Sequence, residues 1–475
     1  MQNSEYRPYV AGEFVETNER YEVRCPWDNS LIAKVHLAGN NELEQAIVAA
    51  EKAKRAMAKL SSYEKYEILM SIANGIKAKR EAFARTLALE ACKPLKLALG
   101  EVDRAIQTFI VAAEEAKRPL SEAIKLDWTP AGKGKEGIVK YFPVGIVAGI
   151  SPFNFPLNLS VHKIAPAIAA GCPIVLKPAR KTPLSALMLA EVINNTNIPN
   201  GGISILPTDR NTGNNMVTDS RFSLLSFTGS PQVGWAMKKQ AGKKRVLLEL
   251  GGNAGVIVAP SADIDLAVTK CVSGAFAYSG QVCIHTQRIY VHRSIFDSFM
   301  EKFIDGASKL KNGHPLSEET DLSSMIDEMN AARVEAWVSE AINDGAKVLL
   351  GGKREGTYFP PTVLTNTKQE MKVCSLEVFG PVVTVEPYDT FEGAIEYLNH
   401  SEYGLQAGVF TNQIDEMNKA FNELEVGGVI INDVPTFRVD HMPYGGIKNS
   451  GFGREGIKYA MIEMMEPKLL VKPFE

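Results

Sequence analysis

The order of apolar and polar positions divides the chain into a helical region and a later region in which strands and helices alternate. Over residues 42–117, apolar residues recur every three or four positions, the spacing of amphipathic helices that cover a sheet. The polar stretch 119–141 contains Gly-Lys-Gly-Lys at 132–135, which is typical of an exposed hairpin or a linker, and we expect a hairpin. The first helix is expected to bury Leu43, Ile47, Ala50, Ala53 and Met57.

The next hundred residues alternate between short apolar runs and helical or turn segments. Strand, helix and strand in series form parallel sheets through crossover connections, so the fold class is α/β with a doubly wound, Rossmann-type sheet. A second alternating region, 255–429, predicts another α/β domain. The apolar runs are 145–150, 173–177, 203–206, 223–227 and 246–249, and the clearest helical segments are 156–170, 182–194 and 231–242.

Composition and charge exclude several classes of protein. The chain has 475 residues with 52 basic and 55 acidic side chains, a net charge of −3, whereas a dedicated nucleic-acid binder carries a basic excess. Residues 1–19 lack a signal-peptide pattern, and no apolar run reaches the roughly 18 residues of a membrane helix. The six cysteines lack metal-ligand spacing. We expect a cytoplasmic protein with reduced thiols and no nucleic-acid partner, membrane partner or metal.

Polar and glycine-rich turns follow three of the predicted strands. Residues 151–156 read Ser-Pro-Phe-Asn-Phe-Pro, residues 177–180 read Lys-Pro-Ala-Arg, and residues 228–234 read Thr-Gly-Ser-Pro-Gln-Val-Gly. Ligands of parallel α/β sheets bind at the carboxyl ends of the strands. We therefore expect the three turns to face one crevice.

The turn at 228–234 has the character of a phosphate-binding turn. Gly229 and Ser230, followed by Gly234, let the backbone approach a pyrophosphate at the start of a helix. The turn departs from the usual Gly-x-Gly-x-x-Gly fingerprint, and such glycines also occur in plain turns. Lys177 ends another predicted strand, where a lysine either bonds ribose hydroxyls or is solvated.

Two residues are candidates for covalent and acid–base chemistry. Cys283 lies in Gly-Gln-Val-Cys-Ile-His (280–285) and is either a nucleophile or an inert core thiol. Glu249 ends a predicted strand just before two glycines, where a partly desolvated carboxylate suits a general base. The alternative for Glu249 is a salt bridge at the end of the strand.

The combination of motifs points to one family. The motifs are Ser-Pro-Phe-Asn-Phe-Pro (151–156), Lys-Pro (177–178), Phe-Thr-Gly-Ser (227–230), Glu-Leu-Gly-Gly (249–252), Gly-Gln-Val-Cys (280–283), Glu-Val-Phe-Gly-Pro (377–381) and Pro-Tyr-Gly-Gly-Ile-Lys-Asn-Ser-Gly (443–451). In order and spacing, including the 34 positions from Glu249 to Cys283, they resemble the aldehyde dehydrogenase superfamily over almost the whole chain. Residues 432–443 resemble the branch of lactaldehyde, phosphonoacetaldehyde and non-phosphorylating glyceraldehyde-3-phosphate dehydrogenases.

The resemblance implies an aldehyde dehydrogenase-like fold with three parts. Residues 1–118 and 142–250 would form the NAD(P)-binding domain, and residues 251–445 would form the catalytic domain. Residues 119–141 and 464–475 would form a small β element that bridges the subunits of a homodimer or homotetramer.

The resemblance also implies a mechanism. Cys283 attacks the aldehyde carbon, and the Asn154 amide and the Cys283 backbone N–H stabilise the thiohemiacetal oxyanion. After hydride transfer to NAD or NADP, Glu249 activates the water that hydrolyses the thioester to a carboxylic acid. This base favours hydrolysis over acyl transfer to coenzyme A, the alternative within the family. A silent relative with a structural or binding role is the second alternative, and it has no need of all three residues.

Cofactor contacts carry over by position. Lys177 is expected on the adenosine ribose, and Glu377 on the nicotinamide ribose beside Phe379. Arg180 stands where many NAD-dependent relatives have an acidic residue, and Lys181 follows it. An arginine attracts a 2′-phosphate, so we expect NADP to be accepted. The expected cofactor-binding residues are Ser151, Phe153, Lys177, Ala179, Arg180, Gly229, Ser230, Gly234, Glu377 and Phe379.

Three basic residues match positions that line the substrate tunnel of the family. They are Arg104, His162 and Arg438, and together they indicate a short anionic or strongly polar aldehyde. Val282 precedes the nucleophile, where some phosphate-handling relatives have arginine, so a phosphorylated substrate is less favoured. The alternative is that Arg438 and His162 pair with Asp or Glu and the pocket is generic.

Overall fold

The computed structural model describes residues 4–118 and 120–473, which form 15 helices and 23 strands. The helices are α1 (Asn40–Lys59), α2 (Ser62–Ala78), α3 (Arg80–Glu90), α4 (Leu95–Glu115), α5 (Pro156–Ala170), α6 (Leu184–Ile193), α7 (Arg210–Thr218), α8 (Pro231–Gln240), α9 (Ile264–Phe276), α10 (Phe296–Ser308), α11 (Glu328–Asn343), α12 (Lys372–Ser375), α13 (Phe391–Asn399), α14 (Ile414–Glu423) and α15 (Ile457–Glu463).

The strands form five sheets. They are β1 (Ser4–Tyr6), β2 (Tyr9–Val10), β3 (Glu13–Phe14), β4 (Arg20–Arg24), β5 (Leu31–His36), β6 (Ser121–Lys125), β7 (Lys135–Pro143), β8 (Ile146–Ile150), β9 (Ile174–Lys177), β10 (Ile203–Ile205), β11 (Phe222–Thr228), β12 (Arg245–Glu249), β13 (Gly255–Val258), β14 (Arg288–His292), β15 (Lys347–Leu350), β16 (Thr362–Thr365), β17 (Val382–Tyr388), β18 (Tyr403–Gly404), β19 (Gln406–Phe410), β20 (Gly428–Ile431), β21 (Ile447–Lys448), β22 (Gly451–Phe452) and β23 (Met465–Pro473).

The largest sheet has eight strands in the order β22-β12-β11-β8-β9-β10-β2-β3. The five central strands, from β12 to β10, are parallel, and the strands at both edges pair antiparallel. Each predicted strand of this region lies within one residue of its expected ends, and each predicted helix within two. The predicted α/β class with a doubly wound sheet is therefore confirmed.

The register of this sheet brings four strand ends to one edge. Ile150 at the end of β8 pairs with Lys177 of β9 and with Phe227 of β11. Next along the sheet, Thr228 of β11 pairs with Glu249 of β12. The turns that follow these strands therefore emerge side by side, as the sequence predicts.

Helices cover both faces of the eight-stranded sheet. The predicted apolar face of α1 is buried from Leu43 to Met57, and α5 is buried along its whole length against the first strands. Gly171 ends α5 with φ of 83°, a left-handed conformation that favours glycine at a helix C-terminus. None of the helices formed by residues 4–118 and 120–473 combines the length and apolar character needed to cross a membrane.

A second α/β unit follows in the chain, as the alternation over 255–429 predicts. Its seven strands have the order β15-β16-β17-β14-β13-β19-β20, and all of its pairings are parallel except that of β15 with β16. Its core lies between this sheet and helices that include α9 and α10. Cys283 lies in the loop between α9 and β14.

The predicted hairpin exists as β6 and β7, and the C-terminal strand β23 completes a three-stranded sheet. The pairing of β23 with β7 covers all nine residues from Met465 to Pro473. Leu469, Leu470 and Val471 on the edge strand are about half exposed, at 49%, 56% and 48%. The expected element also included Pro119 and residues 474–475, and the first predicted domain included residues 1–3; these lie outside the described residues.

Candidate active site

The strand ends open onto two adjoining cavities. One of about 670 Å³ contains Lys177 and Arg180, and the other of about 690 Å³ contains Asn154 and Cys283. The two share walls that include Phe227. Residues of all three strand-end turns line these cavities, as predicted.

A strained turn presents Cys283 to the larger cavity. Tyr278 and Ser279 have φ of 52° and 51°, and Gly280 has φ of 65°. A Cβ on Gly280 would lie 2.1 Å from the Gly380 carbonyl oxygen, so only glycine fits there. This explains the glycine of the Gly-Gln-Val-Cys motif: the turn must pass close to a second backbone segment before it reaches the cysteine.

The thiol of Cys283 has one polar neighbour at short range, the phenol oxygen of Tyr444, 3.3 Å from Sγ. Burial raises the pKa of Cys283 to about 11, and the hydrogen bond with Tyr444 acts in the opposite direction. Cys283 is only partly buried, whereas the other five cysteines are buried. Its partial exposure and its place on the cavity wall distinguish Cys283 as the candidate nucleophile.

Glu249 ends β12 with its carboxylate buried and no hydrogen-bond partner for either oxygen among the described residues. Burial, and then the charge of Glu455, raises its pKa well above the ordinary value. A Cβ on Gly445 would lie 2.9 Å from Glu249 Oε1, and Gly445 has φ of 152°. Gly445 of the Pro-Tyr-Gly-Gly motif therefore leaves room for the Glu249 carboxylate, whose lone pairs are free to bind water.

Asn154 lies in the turn before α5, and its Nδ2 donates to the Gln281 carbonyl oxygen at 3.0 Å. This bond ties the turn to the cysteine loop. The Lys93 ammonium donates to the Asn154 carbonyl oxygen at 2.7 Å and forms a buried ion pair with Glu101. Glu101 in turn accepts the first backbone N–H groups of α5, including that of Leu157 at 3.1 Å. A buried network therefore fixes the position of Asn154.

The two glycines after Glu249 bring the cysteine loop close to Glu377. The Gly252 N–H donates to Glu377 Oε1 at 2.9 Å, and a Cβ on Gly252 would lie 2.1 Å from the Cys283 carbonyl oxygen. A Cβ on Gly251 would meet the Glu377 carboxylate at 2.3 Å. Burial raises the pKa of Glu377 to about 7. The Glu-Leu-Gly-Gly motif thus joins the general-base candidate to the two other chain segments of the site.

Nine of the ten predicted cofactor residues lie on the cavity walls. Lys177 and Arg180 line the smaller cavity. Gly234 does not line either cavity, because a Cβ there would lie 2.4 Å from Leu250, and the glycine instead allows α8 to pack closely on the strand end. The residues in the larger cavity are Ser151, Phe153, Ala179, Gly229, Ser230, Glu377 and Phe379.

The smaller cavity fits the adenosine end of a dinucleotide. Lys177 is mostly buried, and its ammonium has no hydrogen bond or ion pair within the described part of the chain. Burial lowers its pKa, and Asp209 counteracts this. A partly buried, unpartnered ammonium on a cavity wall matches a ligand that supplies hydroxyl oxygens. Gly213 lies under the lysine stem, where a Cβ would be 2.7 Å from Lys177 Cε.

The three predicted substrate residues form one hydrogen-bonded chain. Arg104 Nη2 and His162 Nε2 both contact Asp440 Oδ1, at 2.7 Å and 2.8 Å. Arg438 Nη2 lies 3.3 Å from His162 Nδ1 and 3.1 Å from Glu455 Oε2. The sequence left open whether Arg438 and His162 pair with acidic residues. In the structure, Arg438 contacts Glu455 and His162 contacts Asp440.

His162 is not the third cation that the sequence predicts. Burial, and then the nearby Arg438 charge, lowers its pKa, so the imidazole is neutral at pH 7. Nε2 carries the proton and donates to Asp440, which leaves Nδ1 as the acceptor for Arg438. The ionised Asp440 is consistent with this, because His162 and Arg104 hold its pKa well below the usual range. Two arginines remain as cations.

Some residues of the site were missed from the sequence. Arg210 begins α7 and lines both cavities, but nothing in its local pattern separates it from a surface arginine. Asp440 and Glu455 hold partners that lie 278 and 292 residues away along the chain, which no local pattern reveals. Tyr444 belongs to the Pro-Tyr-Gly-Gly motif, and its aromatic type at that position was the available signal.

Comparisons with known proteins agree with this geometry. Residues 14–470 match the profile of the aldehyde dehydrogenase family. The chain is 43% identical over 471 residues to a 3-sulfolactaldehyde dehydrogenase from Priestia aryabhattai, covering 99% of this chain and 98% of that protein. It is 42% identical over 468 residues to a lactaldehyde dehydrogenase from Methanocaldococcus jannaschii, covering 98% and 99%.

A solved structure shares the whole fold. The crystal structure of aldehyde dehydrogenase 21 from Physcomitrella patens, in complex with the reaction product succinate, superposes with a TM-score of 0.98 at 45% identity, covering 100% of this chain and 99% of that one. The predicted family and fold are confirmed by these matches. The chain belongs to the aldehyde dehydrogenase family, the NAD(P)-dependent oxidoreductases that act on aldehydes.

Proposed function

We propose that this enzyme oxidises a short aldehyde bearing a carboxylate or sulfonate to the corresponding carboxylic acid. The observation that carries the proposal is the Arg438 guanidinium: the side chain is 6% exposed, and its buried Nε–H has no acceptor among the described residues. Its carbon lies 3.6 Å from the centre of the Tyr444 ring, next to Cys283. A buried charged donor without an acceptor is costly unless a ligand supplies one.

The charge around Arg438 supports an anionic substrate. Lys163 Nζ has three oxygen acceptors, in Ser226, Thr228 and Glu455, as expected of an ammonium. Together with the two arginines it gives three positive charges against the carboxylates of Asp440 and Glu455. Glu249 also acts on Lys163 and Arg438, so the excess of one positive charge exists while Glu249 is protonated and is cancelled when Glu249 is ionised. The relatives are consistent with this: one is a dehydrogenase of a sulfonated aldehyde, and one holds the dicarboxylate succinate.

The first chemical step is assigned to Cys283. Its thiolate attacks the aldehyde carbon, and the carbonyl oxygen becomes an oxyanion. Asn154 Nδ2 uses one N–H on the Gln281 carbonyl oxygen and retains a second, which suits it to stabilise that oxyanion. The buried network at Lys93 and Glu101 keeps this amide in place, so little reorganisation is needed when charge develops.

The cofactor is assigned to the joined cavities. Lys177, Arg180 and Arg210 would hold the adenosine part, while Glu377 and Phe379 would hold the nicotinamide part. When bound, NAD or NADP supplies the hydride acceptor. A Cβ on Gly229 would lie 2.5 Å from the Phe227 ring, so the turn before α8 has no room for a side chain there, and the bare glycine lines the larger cavity.

Glu249 is the proposed base for hydrolysis of the thioester at Cys283. Its raised pKa makes the ionised carboxylate a stronger proton acceptor than an exposed glutamate. Below that pKa the group is protonated and cannot accept a proton from water. The hydrolysis rate therefore rises as the pH increases through the pKa of Glu249.

A substrate comparison tests the proposal. Succinate semialdehyde and butyraldehyde have the same carbon chain, and only the first ends in a carboxylate. We expect kcat/KM to be about 10- to 100-fold higher for succinate semialdehyde, the range for a charge-assisted contact, with 3-sulfolactaldehyde also preferred over lactaldehyde. Product acid should form equally well with and without coenzyme A. Equal efficiency for the charged and uncharged four-carbon aldehydes contradicts an anionic substrate.

Arg180 is proposed to favour NADP. Its guanidinium lies 4.9 Å from the Tyr21 ring at the rim of the smaller cavity. We expect Arg180→Glu to lower kcat/KM for NADP by about 10- to 100-fold, because a carboxylate repels the 2′-phosphate and binds ribose hydroxyls instead. Fluorescence titration with NADPH measures the matching loss of affinity. The exposed Arg85→Glu serves as the control. Equal use of NAD by the native enzyme, together with unchanged NADP use in Arg180→Glu, rules out this role.

The three-stranded sheet is the proposed bridge between subunits of a homodimer or homotetramer. Its edge strand β23 carries three half-exposed apolar side chains in a row, Leu469, Leu470 and Val471. An exposed apolar edge strand is a liability in a monomer and is suited to pairing with a second copy. We also propose the domain bounds given above and a cytoplasmic location.

A further inference from the structure

Tyr444 makes a polar contact to the candidate nucleophile that the steps above do not use. Its phenol oxygen lies 3.3 Å from Cys283 Sγ, and the residue is only 3% exposed. A hydroxyl at that distance from sulfur is within hydrogen-bonding range. The contact therefore bears directly on the reacting atom.

We propose that Tyr444 is a catalytic hydrogen-bond donor whose phenol O–H donates to Cys283 Sγ and stabilises the attacking thiolate. This inference rests on the proposed role of Cys283 as the nucleophile. The thiol loses its proton to solvent, the sulfur carries the negative charge, and the phenol keeps its own proton. A negatively charged sulfur is a stronger hydrogen-bond acceptor than a thiol, so the interaction favours the thiolate over the thiol. When the C–S bond forms, the sulfur becomes uncharged and the hydrogen bond weakens.

The backbone and the ring of Tyr444 are held by the same partner. The Tyr444 N–H donates to the Glu455 carbonyl oxygen at 3.0 Å, and the Glu455 N–H donates back at 2.6 Å. The Glu455 carboxylate also binds the Arg438 guanidinium, which lies 3.6 Å from the Tyr444 ring centre. The backbone of Tyr444 is therefore held by Glu455 and one face of its ring by Arg438, which keeps the hydroxyl beside Cys283.

The charge environment makes Tyr444 a donor rather than a base. Burial, and then the Cys283 charge, raises the pKa of Tyr444 well above its ordinary value, so the phenol keeps its proton at neutral pH. The Arg438 cation on the ring face withdraws electron density and strengthens the O–H as a donor. Since burial alone pushes the thiol toward its neutral form, a fixed donor offsets part of that cost.

Three other charged groups influence Cys283. Glu377 and Glu249 raise its pKa when they are ionised, and Arg438 lowers it. All three are kept when Tyr444 is replaced by phenylalanine, which retains the ring against Arg438. The difference between the native enzyme and Tyr444→Phe therefore isolates the phenol O–H.

The test is the rate of Cys283 alkylation by iodoacetamide against pH, in enzyme without added cofactor, with the labelled peptide identified by mass spectrometry. We expect Tyr444→Phe to raise the pH midpoint by about one to two units and to slow alkylation at pH 7.5 at least about tenfold. The matched control is Tyr388→Phe, which removes a buried hydroxyl bonded to the Val258 carbonyl oxygen in the other sheet, and it should leave the midpoint unchanged. An unchanged midpoint in Tyr444→Phe overturns the proposal and assigns Tyr444 a packing role.

A second measurement covers the case in which Tyr444→Phe does not fold. Native enzyme made with 3-fluorotyrosine at all 14 tyrosines has more acidic phenols, and we expect the alkylation midpoint to fall. No fall overturns the proposal. These readouts do not depend on turnover, so they are separate from the role of Cys283 itself: full activity in Cys283→Ala refutes the nucleophile whatever the alkylation profile shows.

Discussion

Replacing Cys283 with alanine is expected to abolish aldehyde oxidation, lowering kcat/KM for succinate semialdehyde at least about 10³-fold. Alanine has no nucleophile, and the remaining groups of the site stabilise charge only on an adduct that no longer forms. Steady-state formation of NADPH at 340 nm measures the loss. Binding of NADPH should remain, because the cofactor walls are contributed largely by other segments.

The matched control is Cys271→Ala. Cys271 is fully buried on α9, in the core of the second unit, and faces neither cavity. It should retain activity, and iodoacetamide should still inactivate it. Full activity in Cys283→Ala, or an enzyme insensitive to iodoacetamide, contradicts covalent catalysis at this residue.

Glu249→Gln is expected to separate the two halves of the reaction. The glutamine has the shape of the carboxyl group but cannot accept a proton from water, so the steady-state rate falls by about 10²- to 10⁴-fold. The first turnover does not need the base and should still give a burst of about one NADPH per active site. Stopped-flow absorbance measures the burst and the slow phase in one trace.

Glu386→Gln controls for the loss of a partly buried carboxylate elsewhere. Glu386 on β17 accepts hydrogen bonds from Thr367 and lies outside the two cavities. Its variant should keep steady-state turnover. Normal turnover in Glu249→Gln would show that Glu249 is not the base. Loss of both the burst and the turnover would show that Glu249 acts before the thioester forms.

The parallel strands of the eight-stranded sheet could be predicted from local sequence patterns. The runs at 145–150 and 246–249 are apolar because parallel strands are buried on both faces, and their ends are marked by Pro, Gly and Lys. The same pattern is sufficient to place Lys177 and Glu249 at the carboxyl edge of the sheet. The antiparallel strands β2, β3 and β22 have only two residues each and carry no such signal.

The candidate catalytic residues stand in recognisable motifs for a different reason. Gly252 and Gly280 must be glycine because each passes within about 2 Å, measured to a hypothetical Cβ, of another backbone segment, and such glycines form motifs around Cys283. Residues that act through distant partners leave no motif. The pairing of His162 with Asp440 spans 278 positions. Burial and the nearby Arg438 charge, which no local pattern shows, make this expected cation a neutral hydrogen-bond relay.

In the proposed mechanism, Cys283 carries the acyl group, and water that Glu249 activates releases it. The most direct test is the intact mass of Glu249→Gln enzyme, quenched in acid after the burst with succinate semialdehyde and NADP in the absence of coenzyme A. We expect one succinyl group per chain, located on the peptide that contains Cys283 and removed by hydroxylamine. An unmodified enzyme, or an acyl group on another residue, would contradict this mechanism.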